Sequence, residues 1–406
     1  MKLSLAPLYA VVAATTALAA SIKRQDDGKF SLADNDGETF TFKYSTSWAD
    51  DKNWIGIYGL DKGPVDDKKG PENSLVWDWT PGDEGEVKLP ATPLLSGTYE
   101  VYFLWQGGYE SLAEPIKVEH SAPRKKDFTV MTNNLWHQGT KVNGYKEKQV
   151  RFFKDSGADI IALQESSEER TSELATSLNW NSWHSDDHGI LSRYPIRKRY
   201  GEHEHGVAIS VALDDQTDVK VWDVHLAYDP YGPYEFCFNK KSKEEVIKEV
   251  EGGAGSGRGP EIIQTLDMMK GDLGDADNVP VLLMGDFNAP SHLDWTDETA
   301  HLHCDVGAVE WPTSKAPIDA GLVDSLREVH PDPNEFPAFT WSPVYKDNEG
   351  RPEPQDRIDF VYHKGKKLTV ESAELVMVGE PKEMPDHKDN EWTSDHQAVR
   401  IKYNIG

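Results

Sequence analysis

The sequence predicts a small antiparallel β-sandwich followed by a layered α/β domain. Three observations predict it. Residues 28–119 hold several short segments of alternating polarity, broken by Gly, Pro, Asn and Asp clusters. From Asp127 onward, apolar strand-like runs interleave with segments of helical spacing. Between the two lies the polar connector SAPRKK, residues 121–126. A chain of 406 residues is also too long for one ordinary core.

The chain opens with Lys2 and an apolar run ending in small residues, Ala17-Leu18-Ala19-Ala20. This is the shape of a secretory leader over residues 1–20. The dibasic pair Lys23-Arg24 resembles a processing site of fungal secreted proteins, making 21–24 a short propeptide and the mature protein extracellular. No later run approaches the ~20 apolar residues of a membrane span.

The sandwich is expected over 25–120. Its strands include Phe40–Tyr44, Trp54–Tyr58, Leu75–Trp79 and Tyr99–Trp105, with most of the aromatics in its core. In the second domain, 127–406, Phe128–Thr132 reads as a strand. Tyr145–Lys154 reads as a helix stopped by Gly157, and Asp159–Gln164 as a buried strand. A strand surrounds Val221–His225, Glu261–Met269 is helical, and Val279–Met284 is a buried strand. The glycine-rich run 252–259 between them reads as a flexible, solvated connector.

The net charge of −27 disfavours a dedicated nucleic-acid binder, because polynucleotide affinity leans on Lys and Arg against phosphates. It leaves a nuclease open, since a divalent metal neutralises phosphate locally. The two cysteines, Cys237 and Cys304, are either bonded to each other or buried as thiols.

Polar residues at strand ends form one chemical set. Glu165 follows DIIALQ, His225 follows VKVWDV, and Asp286 and Asn288 follow VPVLLMG. Asp359 lies in DRIDFVY, and Asp395-His396 in TSDHQAV. Strand-end loops are where a rigid scaffold presents catalytic groups. Glu165, with Asn134 and Asp395, offers hard oxygen ligands for Mg²⁺, Mn²⁺ or Ca²⁺. His225 and His396 suit donation to phosphoryl oxygens or a leaving group near neutral pH. Asp286 suits orienting and deprotonating a water, and Asn288 donating where phosphoryl charge builds. No G-x-S-x-G, P-loop or H-E-x-x-H motif occurs, so water attack fits better than a covalent nucleophile.

The ordered motifs TNNLWH (132–137), LQES (163–166), VHL (224–226), GDFNAPS (285–291), DRIDFVY (356–362) and SDHQAV (394–399) resemble the endonuclease/exonuclease/phosphatase superfamily. The resemblance covers about 127–403. It implies a four-layer α/β sandwich with two central mixed sheets and a metal-dependent hydrolase acting on phosphoric mono- or diesters. It further implies that Asn134 and Glu165 hold the metal with Asp395 near it, and that His225 and His396 bind and polarise phosphate. Asp286 is then the base, Asn288 orients the phosphate, and Asp359 fixes His396. The stretches DKNWIGIY, SLVWDW and GTYEVYFLW resemble the small sandwich found beside such domains, including the SKICH type.

Within that superfamily, QDRI and GDFNAP depart from inositol polyphosphate 5-phosphatases, and a His at 225 departs from abasic-site endonucleases. The expected substrate is a small or lipid phosphoester of the sphingomyelinase type. An extracellular nuclease and a non-catalytic binding protein that works through its sandwich are the alternatives. Tyr228 and Asp229, just after His225, and Arg193 in LSRYPI are candidate substrate contacts; Arg357 is a weaker one. Residues 230–238 form either a packed wall of the pocket or an apolar loop for a lipid surface. The protein is expected to be a monomer.

Overall fold

The computed structural model describes residues 27–64, 74–251 and 257–406. The expected leader and propeptide lie outside the described residues.

The first domain has seven antiparallel strands: β1 (Lys29–Asn35), β2 (Thr39–Ser45), β3 (Trp54–Gly59), β4 (Val76–Trp79), β5 (Glu84–Pro90), β6 (Gly97–Leu104) and β7 (Ile116–His120). They form two sheets, β1-β2-β5 and β4-β3-β6-β7. Alternation drives Phe40, Phe42, Ile55, Ile57, Val101 and Phe103 into the space between them. Most of its aromatics are core, as expected, although Trp79 stays partly exposed. The sandwich touches the second domain where Asn179 Nδ2 donates to the Trp77 carbonyl (3.0 Å) and Ser96 N donates to Asp215 Oδ1 (2.9 Å).

The second domain continues with β8 (Asp127–Asn134), α1 (Tyr145–Asp155), β9 (Ile160–Gln164), α2 (Glu168–Leu178), β10 (Asn181–Ser185), β11 (His188–Ser192), β12 (Ile196–His203), β13 (Gly206–Ala212) and β14 (Asp218–His225). After short helices α3 (Gly232–Cys237) and α4 (Lys243–Val246) come α5 (Arg258–Gly274), β15 (Val281–Asp286), α6 (Pro312–Asp319), β16 (Val323–Asp324) and α7 (Ser325–Val329). A small hairpin, β17 (Asp347–Asn348) and β18 (Arg351–Pro352), precedes β19 (Asp359–Lys364), β20 (Leu368–Val376) and β21 (Ala398–Ile405).

Two six-stranded mixed sheets result, β10-β11-β9-β8-β21-β20 and β12-β13-β14-β15-β19-β16. Strand β9 shows why they stack. Its sequence IIALQ is buried throughout. Ile160 and Ala162 point into the core between the sheets, while Ile161 and Leu163 point into the core under α1 and α2. Each such isoleucine contributes about 1.5–3 kcal/mol by burial. Helix α5 covers the outer face of the other sheet through Ile262, Leu266 and Met269. Helices, sheet, sheet and helices make the four layers. No helix among the described residues is long and apolar enough to cross a membrane.

One detail differs from expectation, and one open alternative is decided. The glycine-rich run is not a solvated connector to its end, because Arg258 opens α5 and is 1% exposed. Residues 230–238 are a wall: Pro233 and Phe236 are buried, and Tyr231 and Tyr234 donate to Asp356 (2.9 Å) and Glu353 (2.7 Å). Cys237 and Cys304 are disulfide-bonded and tie this wall to the segment after β15.

Candidate active site

Strand register collects the site. In the parallel pair β14·β15, His225 stands opposite Asp286, and in the antiparallel pair β15·β19, Asp286 stands opposite Asp359. Three of the strand-end residues therefore form one row. Gly285 makes this row possible. Its φ is +140°, and a Cβ there would lie 1.9 Å from the Val224 carbonyl oxygen. From the facing sheet, β8 and β9 run parallel and end at Asn134 and Gln164, just before Glu165. The segment before β21 brings Asp395 and His396, with Ser394 Oγ donating to the Asn134 carbonyl (2.6 Å).

Two imidazoles flank one carboxylate. His225 Nε2 lies 3.7 Å and His396 Nε2 3.8 Å from Asp286 Oδ2. Each ring is held from behind: His225 Nδ1 donates to Asp187 Oδ2 (2.7 Å) and His396 Nδ1 to Asp359 Oδ2 (2.9 Å). Burial alone would strip protons from these rings. Asp187, Asp286 and Glu165 overcome it and push His225 up to about 9. Asp359 and Asp286 likewise carry His396 well above the ordinary imidazole value. Burial and the nearby Asp359 raise Asp286, against the pull of both histidines and of Asn134. The site thus holds two imidazolium donors beside a buried carboxylate poised to accept a proton.

The second cluster is rich in oxygen. Asn134 Nδ2 donates to Asp286 Oδ2 (2.9 Å) and Glu165 Oε1 (3.3 Å), so its amide sits between the two carboxylates. Glu165 Oε2 accepts from His137 N. Glu165 and Asn288 have φ of 54° and 49°, and left-handed backbone at non-glycine residues is costly and concentrates at functional sites. Asp395 Oδ1 is buried without a hydrogen-bond partner. Burial first, then Glu165 and Asp286, raise Asp395 to about 7. Crowded carboxylates with an orphaned oxygen fit a hard divalent cation, which would relieve both. A different trio, Asp286, Asp359 and His396, has potential ligand atoms within 4.8 Å of one another. There Nδ1 of His396 is bonded to Asp359 and Nε2 faces Asp286 Oδ2 at 3.8 Å, the arrangement a proton relay needs.

Asn288 Nδ2 donates to the Leu226 carbonyl (2.9 Å), which leaves its second N–H for a ligand. Tyr228 is 76% exposed and Asp229 is exposed, both just past His225 in the chain. Trp341, which motif reading did not single out, packs on His396 with ring centroids 5.1 Å apart.

Arg193 is not brought to the site. It donates to the Ala158 carbonyl (3.0 Å) and packs on Trp180, at the start of β9, whereas Glu165 follows its end. Five residues of strand separate these ends by roughly 16 Å. Arg357 is also no phosphate partner. It is 1% exposed and saturated by Asp294 and Asp324, which tie the loop after β15 to the entry of β19.

Sequence reasoning missed Asp187. It lies in the turn Asp186–Asp187 between β10 and β11, and no apolar run leads into it. Two adjacent aspartates in a turn give no means of choosing the one that faces His225.

A model of the endonuclease/exonuclease/phosphatase family matches residues 131–396, from within β8 to His396. The chain belongs to this family. Family members are phosphoester hydrolases, and so is this protein. The chain is similar to the uncharacterized protein F14F9.5 of Caenorhabditis elegans, 33% identical over 287 residues, which are 68% of this chain and 90% of that one. Among solved structures it is similar to truncated Caenorhabditis elegans TDP2 (15% identity, TM-score 0.44, covering 69% of this chain and 98% of that one). It is also similar to Danio rerio TDP2 complexed with single-strand DNA product (14% identity, TM-score 0.45, 69% and 100% covered). A third is the 3′ phosphatase NExo from Neisseria, bound to a product DNA hairpin (19% identity, TM-score 0.42, 68% and 98% covered).

Proposed function

We propose that this protein is a secreted, Mg²⁺-dependent hydrolase of small phosphoesters. The observation that carries the reading is the convergence of two carboxylate-backed imidazoles on Asp286 beside the Asn134–Glu165–Asp395 cluster. Glu165 and Asp395 would hold the cation, joined by Asn134 through its amide oxygen, which here accepts from Trp136 N; the cation would neutralise phosphate charge and polarise the phosphoryl group. Asp286 orients a water and takes its proton. His225 and His396 donate from Nε2 to non-bridging or leaving oxygens, and Asn288 donates through its free N–H. Asp187 and Asp359 keep the two rings protonated and aimed. Tyr228 and Asp229 meet the alcohol portion of the ester.

The packing of 230–238 weighs against a lipid-inserting loop, so the reading favours a small ester over the sphingomyelinase-type one. The net charge of −27 weighs against a polynucleotide. The Cys237–Cys304 bond supports an oxidising, extracellular location. The N-terminal sandwich is read as SKICH-like, and the enzyme as a monomer.

The test is parallel hydrolysis of p-nitrophenyl phosphate, bis-p-nitrophenyl phosphate, plasmid DNA and sphingomyelin vesicles, with Mg²⁺ and with chelator. Metal-dependent turnover of the nitrophenyl esters well above the other two supports the reading. Fast plasmid cleavage would make the protein a nuclease, and fast vesicle hydrolysis a lipid phosphodiesterase.

A further inference from the structure

Behind Asp187 lies a buried polar chain, His188, Asp223 and Gln164, that neither the motifs nor the proposed chemistry uses. Asp187 bonds His225 through Oδ2. Its other oxygen, Oδ1, lies 3.3 Å from His188 Nε2. His188 Nδ1 lies 3.4 Å from Asp223 Oδ2, and Asp223 Oδ1 accepts from Gln164 Nε2 (2.6 Å). Gln164 Oε1 in turn accepts from Thr132 Oγ1 (3.2 Å). His188 and Asp223 are both 0% exposed. His188 opens β11 of one sheet and Asp223 lies in β14 of the other, so the chain crosses the core between the sheets.

A buried His–Asp pair is an expensive way to fill a core. Apolar residues of equal volume are often as stable or better. Within the core the pair's one standard side-chain hydrogen bond is the one Asp223 Oδ1 accepts from Gln164; both His188 nitrogens and Asp223 Oδ2 make ion-pair contacts at 3.3–3.4 Å without hydrogen-bond alignment. What the pair does hold is Asp187. That side chain is 46% exposed in a turn, where an aspartate would ordinarily rotate into water. With Oδ1 held 3.3 Å from the fully buried His188 ring, Oδ2 stays on His225.

We propose that His188 and Asp223 are positioning residues for the reaction, a buried Asp223–His188 strut that locks Asp187 onto His225 and so aims His225 Nε2 at the phosphoryl group. The inference rests on the proposed phosphoesterase function for its kinetic consequence but not for its geometry. Three carboxylates, Asp187, Asp286 and Glu165, surround His225, with His188 across a ring separation of 6.5 Å. The strut acts on the first of these alone. It also joins His225 to Gln164, the residue before Glu165, so the phosphate donor and the metal-side strand share one brace.

The experiment pairs two substitutions at one position. His188→Gln keeps a donor near the place of Nε2 and the reach to Asp187. His188→Asn keeps one near Nδ1 and loses that reach. The imidazole of His225 is followed by NMR titration in chelator, and hydrolysis of bis-p-nitrophenyl phosphate is measured with Mg²⁺. His188→Asn is expected to lower the His225 pKa by about one unit. It should also lower kcat about 10-fold with KM little changed, and His188→Gln should recover part of both. If His188→Asn does not fold, Asp223→Asn takes its place, with a smaller shift of the same sign. A folded His188→Asn or Asp223→Asn protein with wild-type titration and kcat would overturn the proposal. A purely structural role would lower Tm in both His188 variants alike and leave the His225 titration unmoved. Wild-type inactivity on every ester would instead sink the function, with the NMR titration still deciding the strut.

Discussion

Replacing Asp187 by Asn tests the electrostatics of the site at its most separable point. The substitution keeps the shape and removes the charge that meets His225 Nδ1 at 2.7 Å. Burial acts to lower His225, and Asp187 supplies the hydrogen bond and part of the charge that lift it to about 9. Without Asp187 the ring should fall to about 7, near the ordinary imidazole value. At pH 8.5 a pKa of about 9 leaves roughly 75% imidazolium and one of about 7 leaves roughly 3%, a loss of about 25-fold in the donor form. At pH 6 the two differ by less than about twofold. The assay is kcat/KM for bis-p-nitrophenyl phosphate from pH 5.5 to 10. The basic limb should move down by about two units in Asp187→Asn, with activity near pH 6 nearly kept. The same pair stabilises the fold. A histidine raised from about 6.5 to about 9 contributes roughly 3 kcal/mol, fully present below pH 6.5 and lost as pH rises through 9. Asp187→Asn should therefore lower Tm more at pH 6 than at pH 10. An unshifted basic limb, or equal activity loss at all pH values, would refute the assignment of His225 as a protonated donor.

Other consequences follow from single contacts. Gly285→Ala places a Cβ 1.9 Å from a backbone oxygen and should cost at least about 3 kcal/mol, read by chemical denaturation, with activity lost alongside. Breaking the Cys237–Cys304 bond, which spans a sequence separation of 67, should cost up to about 4 kcal/mol. Melting of Cys237→Ser/Cys304→Ser against wild type measures it. Asp395, raised to about 7 by burial and its carboxylate neighbours, makes the folded protein bind more protons than the unfolded chain between pH 4 and 7. In chelator, stability should thus fall as pH rises through that window, and Mg²⁺ should flatten the slope. A slope that is the same with and without Mg²⁺ would remove Asp395 from the metal site.

Most of the site was legible because its residues follow apolar strands, and an apolar run that stops at a polar residue marks a strand end. Sequence does not mark which end of the sheet a strand points to. Strand β11 also stops at a polar residue, Arg193, yet it runs antiparallel to β9 and delivers Arg193 to the opposite edge. Asp187 failed for the complementary reason. Its approach strand, NSWHS, is half-buried along its whole length and reads as loop. Arg258 was hidden in a glycine-rich run, although its guanidinium donates to the carbonyls of Ala227, Tyr228 and Pro230 and fixes the segment that follows His225. The layered architecture was readable from alternating patterns. The edge strands β1, β5 and β7, with polar exposed faces, were not.

The most direct test of the whole account is hydrolysis of bis-p-nitrophenyl phosphate by wild type and Asp286→Asn, each with Mg²⁺ and with chelator. The geometry predicts turnover by wild type only with metal and a loss of at least about 10³-fold in Asp286→Asn, with its fold intact by circular dichroism. Turnover that survives chelation, or that survives in Asp286→Asn, would contradict it.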